Sequence, residues 1–528
     1  MQFNRFLAAY MLMAACCALL YNYSLLAAGS VFENGYAFCL YTSLCISLFL
    51  AFTFSKRLGS LGLVLFHLAG VGLCYFQYVY RRPLNYDVFA AILEANRFEI
   101  FSFMSPVLIA VLILAILLSG ISIALLQRIT IDRKKSFCGL LAFAGIFLLL
   151  KEGGKLYIDR VSPDSPFRAA LATRNIAPIS LCSLLSTYRA EESKAERLAS
   201  LPAAADFPSV CSDDRPVVVL VLGESARGDH FSLNGYARKT CPYLEKETNI
   251  INMGIARSFD IQTRKSLIGM LTNATEEERT PTIGSFISLY NKHGFKTCFY
   301  SRQNRLGRSG HLTDTLIGST QDIRYLSSPS DLDILQETAP LFRQHDQGLL
   351  VLLHTTGSHF DYRRNYTEEF RMFVPDDYTP ETLKDVPQNV INAYDNTIVK
   401  TDAFLFNLFN QLRQHNAIVI YVSDHGQLLG EHGRFLHAVG GTDTAYSEQK
   451  NIPFFIWYSD PYAQRHADII QALNEAAASD RTITHDSLFH TILPLGGIRS
   501  TIVDPRFDLT GQGRLEKHEA RELDQGAA

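Results

Sequence analysis

AIVIYVSD, residues 417–424, is a short run of apolar residues rich in β-branched side chains that ends in Ser423 and Asp424. It is too short and too evenly apolar for an amphipathic helix and reads as a strand buried on both faces. The same form recurs as VVVLVLG (217–223), KTCFYS (296–301), GLLVLLHT (348–355) and IPFFIWYS (452–459). Helical periodicity lies between these runs, clearest in VINAYDNTIVKTDAFLFNLFNQLRQ (390–414). Alternation of this kind predicts an α/β domain with a mostly parallel central sheet flanked by helices. Trp457, the single tryptophan, falls inside one run and is expected in the core.

Ligands of open α/β sheets bind beyond the carboxyl ends of the strands. Glu224 follows the first run, His354 and His359 follow the fourth in HTTGSH, and Asp424 and His425 follow AIVIYVS, with His437 further on in GEHGRFLH. Carboxylate and imidazole groups are thus expected at one sheet edge. Such a mixed oxygen and nitrogen set, without thiolate, suits zinc, and less well manganese, in a hydrolytic or transfer role. Any one of these residues alone would pass as a helix cap, and His230 and His432 are expected to be structural. In SFDIQTRKSLIGMLT (258–272), Thr263 precedes a helical pattern in which Leu267, Met270 and Leu271 share a face. A hydroxyl there suits an N-cap, and also a nucleophile beside unpaired N–H groups that favour a phosphoryl oxyanion.

The front of the chain differs. Residues 1–127 carry only Arg5, Glu33, Lys56, Arg57, Arg81, Arg82, Asp87, Glu94, Arg97 and Glu99 as charged side chains, out of 49 Lys and Arg and 52 Asp and Glu overall. One uniform globular domain is excluded, and so is a disordered chain. A net charge of −3 with no basic face argues against nucleic acid as a partner. Five apolar stretches, 6–28, 36–54, 58–80, 105–126 and the short 136–151, predict five spans. Lys56, Arg57, Arg128, Arg133, Lys134 and Lys135 mark the cytoplasmic side and place the remainder beyond it. The expected organisation is a transmembrane domain at 1–152, a bridge at 153–214, a catalytic domain at 215–510 and a polar tail at 511–528. Residues 86–103 are expected to form an interfacial amphipathic helix. Cys182, Cys211, Cys241 and Cys298 would meet an oxidising compartment, and four thiols allow three pairings.

VLGESARGDHFSLNGYARKTCPYL, the Thr263 segment, HTTGSH, AYDNTIVKTD, SDHGQLLGEHGRFLH and EQKNIPFFIWYS resemble, in order and approximate spacing, the phosphoethanolamine transferases of the alkaline phosphatase and sulfatase superfamily. The resemblance implies a multi-pass protein of the bacterial inner membrane with its catalytic domain in the periplasm. It implies that Glu224, Thr263, Asp424 and His425 bind catalytic zinc, with Thr263 the nucleophile and His354 a further active-site histidine. His359 and His437 match residues that bind substrate phosphate or a second zinc. QTRKS lacks the context from which sulfatases make formylglycine, so sulfate ester hydrolysis is disfavoured. Two departures stand out: no cysteine flanks Thr263, and aligning AAILEANRFE with the acceptor-side loop of lipid A enzymes leaves Ala91, Ala95 and Glu99, of which only Glu99 is retained. Arg305 or Arg308 matches a basic residue that contacts the donor.

The expected reaction moves phosphoethanolamine from phosphatidylethanolamine to an envelope glycolipid or glycan, a lipopolysaccharide core sugar or lipid A, with the chain acting as a membrane-embedded monomer. The close alternative transfers phosphoglycerol to a periplasmic glucan or a related acceptor.

Overall fold

A computed structural model describes residues 5–21, 31–80, 105–130, 132–161, 193–303, 311–328, 330–344, 348–437, 446–516 and 518–519. The chain divides into two compact units, one of N-terminal helices and one that runs from Glu191 to the C-terminus. The first contains α1 (Arg5–Tyr21), α2 (Val31–Phe52), α3 (Lys56–Tyr80), α4 (Pro106–Arg128) and α5 (Arg133–Val161). Four helical segments are long and apolar enough to cross a membrane: Glu33–Phe52, Lys56–Tyr75, Pro106–Arg128 and Arg133–Tyr157. α1 is a shorter apolar helix, and residues 22–28 of the expected first span lie outside the described residues.

The short fifth stretch, 136–151, lies within α5, which at 29 residues is the longest of these helices and extends well past its apolar part. The apolar count stops where Lys151 and Glu152 begin, but charged residues with long straight side chains continue a helix readily. α4 starts with Ser105, whose side chain accepts the Leu108 N–H, followed by Pro106 in the first turn. Its Ile113, Ile116 and Leu117 are exposed, the surface that a lipid-facing helix presents. Inside the unit, His67 joins three helices: Nδ1 lies 2.6 Å from the Tyr21 hydroxyl and Nε2 lies 2.9 Å from Ser122 Oγ. Gly70 leaves room for this, since a Cβ there would lie 2.2 Å from the Tyr21 ring.

The second unit is an α/β layer structure. A short strand β1 (Ser209–Cys211) precedes β2 (Val217–Gly223), β3 (Ile250–Arg257), β4 (Lys296–Ser301), β5 (Asp322–Tyr325), β6 (Leu349–His354), β7 (Ala417–Ser423), β8 (Leu428–Leu429), β9 (Phe435–Leu436), β10 (Asn451–Tyr458) and β11 (Ile498–Ser500). Seven form the central sheet in the order β3-β10-β7-β2-β6-β4-β5. β7, β2, β6, β4 and β5 pair in parallel, and β10 runs antiparallel to both β7 and β3. β1 with β11, and β8 with β9, make two small antiparallel pairs.

β2, β6 and β7 are buried at every position, as continuous apolar runs require. Their two faces meet different helices. Val218, Leu220, Leu222, Ile418, Ile420 and Val422 share a core with Leu267, Met270 and Leu271 of α6 (Thr263–Leu271) and with residues of the later helix Asp486–Leu495. On the other side lies α7 (Pro387–Leu412), whose Phe409 stacks on Trp457 with ring centroids 4.7 Å apart. Trp457 is therefore core, as expected.

Candidate active site

Three turns at the carboxyl ends of β2, β6 and β7 converge. Glu224 is fully buried directly after β2, and Ser225 beyond it takes a left-handed conformation with φ 57°. That uncommon backbone turns two donors inward: Ser225 N–H donates to Asp424 Oδ1 at 2.9 Å, and its hydroxyl donates to Glu224 Oε1 at 2.7 Å. Asp424 follows β7 and its N–H donates to Gly223 O at 3.0 Å, locking the two turns together. His425 comes next, its Nδ1 2.8 Å from Gly426 O, so that Nδ1 donates and Nε2 keeps its lone pair.

Thr263 approaches from another element. It is the first residue of α6, and Gln262 is the N-cap, so the Thr263 hydroxyl does not cap the helix. It points to the carboxylate cluster instead: Oγ1 donates to Glu224 Oε2 at 3.1 Å and lies 3.3 Å from His425 Nε2. The approach to α6 is held by Asp260, which pairs with Arg279 and accepts the Ile261 N–H at 2.8 Å. Arg279 also donates to Phe259 O at 2.9 Å and covers the Phe259 ring at 4.2 Å. An ion pair and a cation–π contact thus stand where no cysteine is available.

Electrostatics favour a cation at this point. Burial opposes ionisation of Glu224, but the neighbouring His425, His359 and His437 outweigh it and hold the carboxyl below its usual range. Asp424 is pushed well above the carboxylate range by burial and by the adjacent Glu224 charge. Burial also lowers His425, which favours the neutral, ligating imidazole. Asp424 Oδ2 is buried without a hydrogen-bond partner among the described residues and lies 3.3 Å from His425 Nε2. Ligand atoms of Glu224, Asp424 and His425 all fall within 4.8 Å of one another. A divalent metal would satisfy the orphaned oxygen and offset the repulsion between two buried carboxylates, so the donor set fits a metal.

The expected histidines surround this cluster. His437, just past the β8–β9 hairpin, has its ring 4.2 Å from that of His425, and the His359 ring is 6.4 Å from that of His437. Arg227 ties the hairpin to the β2 turn through Glu431 at 2.5 Å. His354 ends β6, and burial pushes its imidazole down to about 4; Nε2 has no partner among the described residues. His230 is structural, paired with the buried Asp395 at 2.7 Å, and His432 is exposed on the hairpin. Glu99, the helix expected at 86–103, and Arg305 and Arg308 lie outside the described residues.

Sequence reasoning missed Gln303. Its Nε2 donates to Glu224 Oε2 at 2.6 Å and to Thr355 O at 3.2 Å, so it bridges the ends of β2 and β6 from the end of β4. The signal available was position alone, two residues past the strand KTCFYS. α7 was legible as a helix, but not its purpose: Tyr394 accepts the Arg227 N–H and donates to Ser225 O, both at 2.8 Å, so AYDNTIVKTD supports the Glu224 turn from beneath.

Residues 216–498 match the sulfatase family. The chain is 27% identical over 475 residues, 84% of each protein, to phosphoethanolamine transferase EptA of Salmonella typhimurium. Its fold matches the integral membrane lipooligosaccharide phosphoethanolamine transferase A of Neisseria meningitidis over 96% of this chain and 99% of that one, with a TM-score of 0.79 at 22% identity. The periplasmic domain of EptC from Escherichia coli, solved in complex with zinc, matches over 60% of this chain and 92% of its own, with a TM-score of 0.50 and 22% identity. The chain belongs to the sulfatase family, and the relatives it resembles over most of its length are named phosphoethanolamine transferases.

Proposed function

We propose that the protein transfers phosphoethanolamine from phosphatidylethanolamine to an envelope glycolipid, lipid A or a lipopolysaccharide core sugar, through a covalent intermediate on Thr263. The observation that carries this reading is the Thr263 hydroxyl, free of any capping role and within 3.3 Å of both Glu224 and His425. Glu224, Asp424 and His425, with Thr263 itself, would hold zinc, which lowers the pKa of a bound hydroxyl and neutralises charge on a phosphoryl group.

Thr263 Oγ1 forms a bond to the donor phosphorus, and the bond from phosphorus to the diacylglycerol oxygen breaks. The threonine proton ends on that leaving oxygen, with the neutral His354 as the carrier. His359 and His437 donate to the non-bridging phosphoryl oxygens and hold them as charge builds. An acceptor hydroxyl, of a sugar or of a phosphate monoester, then attacks the same phosphorus, the bond from phosphorus to Thr263 Oγ1 breaks, and Oγ1 takes up the proton that the acceptor gives up.

In this reading five spans place the 215–510 domain in the periplasm. A single chain that carries both units keeps the site at high effective concentration over a lipid donor. Incubating the full-length protein with labelled phosphatidylethanolamine or labelled phosphatidylglycerol tests the cargo, since only the former should label Thr263. Mass spectrometry of envelope glycolipids from cells with and without the protein should show a phosphoethanolamine increment, and its position names the acceptor. Label from phosphatidylglycerol alone would refute the proposal.

A further inference from the structure

The turn that carries His354 and His359 is held by a buried ion cluster that no step of the reaction uses. Asp331, 2% exposed, accepts the Thr356 N–H on Oδ1 at 2.8 Å and the Gly357 N–H on Oδ2 at 3.0 Å. Lys400 of α7, equally buried, pairs with Oδ2 and donates to Gly357 O at 3.4 Å. Arg302 Nε stands 3.7 Å from Oδ1 on the far side. The turn is thereby pressed onto the metal-ligand backbone: Gly357 has φ +52°, and a Cβ there would lie 2.7 Å from Glu224 O. Ser358 N–H donates to that same carbonyl at 2.9 Å, while its own carbonyl accepts from Gln427 at 2.9 Å and its hydroxyl accepts from Thr397 of α7 at 2.7 Å.

A lysine and an aspartate this deeply buried contribute little net stability, because desolvation offsets their attraction and an apolar pair of similar volume serves as well or better. What an apolar pair cannot do is accept two consecutive backbone N–H groups and fix their direction. We propose that Asp331, Lys400 and Arg302 form a positioning cluster that sets the 355–358 backbone, and through it the placement of His359 over the phosphoryl group. The proposal rests on the reading of His359 as a phosphoryl-binding residue.

The test uses the full chain in phospholipid micelles, with transfer from labelled phosphatidylethanolamine and hydrogen exchange of the 354–359 peptide as readouts. The D331N/K400M variant removes the fully buried pair together, leaves only the partly exposed Arg302, and should melt within a few degrees of the parent. Amide exchange in 354–359 should quicken and kcat should fall by roughly tenfold or more, the scale of outer-shell losses, with little change in KM. In an H359A background the same pair should cost no further activity, because the cluster acts through that histidine.

Unchanged kcat and exchange in D331N/K400M, or a loss that multiplies with that of H359A, would overturn the proposal while leaving the reaction intact. Full activity in H359A alone would overturn both this inference and the role of His359. If the double variant does not fold, D331L/K400M, an apolar pair that also removes both acceptor oxygens, is read in the same way.

Discussion

At the scale of single residues, the chemistry turns on where one oxygen points. Thr263 Oγ1 meets a carboxylate and an imidazole lone pair because Thr263 is the first residue of α6, one position past the N-cap Gln262. Thr263→Ala should abolish the covalent adduct, and Thr263→Ser should retain it, as intact-mass measurement after incubation with donor would show. Gln303 shares Glu224 Oε2 with that hydroxyl, so Gln303→Leu should weaken metal binding by roughly 10–100-fold in a chelator competition, with the fold unchanged by circular dichroism. Glu224, Asp424 and His425 were legible in the sequence because each directly follows an apolar run, where the sheet edge delivers it. Gln303, Asp331 and Lys400 were not, because their roles depend on which strands and helices become neighbours, and an amide or a lysine in a mixed segment carries no sign of burial.

At the scale of elements, the continuous apolar runs were readable and the edges were not. β3, IINMGIAR, lies at one margin of the sheet and is only partly buried, and β5 is four residues long with exposed positions. Asn252 and Gly254 interrupt the first, and the second holds only Ile323 and Tyr325 among charged neighbours, so neither forms a continuous apolar run. α8 (Asp486–Leu495) shows how an element can carry pH sensitivity away from the site. His490 Nδ1 accepts the Asp504 N–H at 3.0 Å, so the ring must stay neutral, and burial pushes it down to about 4. The unfolded chain takes up this proton near 6.5 and the folded chain only near 4, so the contribution to stability is complete above about pH 6.5 and is lost as pH falls towards 4. Urea melts at pH 7, 5.5 and 4.5 should show that decline, and His490→Gln, which can keep the acceptor, should flatten part of it.

At the scale of the whole molecule, the charge-poor front and the charged remainder are separate compact units, and the polar end of α5 shows that hydropathy does not mark where the helix stops. Cys211, Cys241 and Cys298 are free thiols, two of them buried, and the six described cysteines of the helical unit are free as well. None of the three pairings that four thiols permit is made between Cys211, Cys241 and Cys298, and Cys182 lies outside the described residues. The sheet core and ion pairs such as Asp260 with Arg279 take over what crosslinks would supply, so the thermal midpoint should be the same with and without reductant. A drop of several degrees in dithiothreitol would count against this. The turn that joins Ser225 to Asp424 closes over 199 positions of sequence. During synthesis from the N-terminus, Glu224 and Thr263 therefore exist long before their ligand partners. On the proposed reading, a nascent chain stopped short of residue 424 lacks Asp424 and His425, and Thr263 would stay inert until the last parallel strand has joined the sheet.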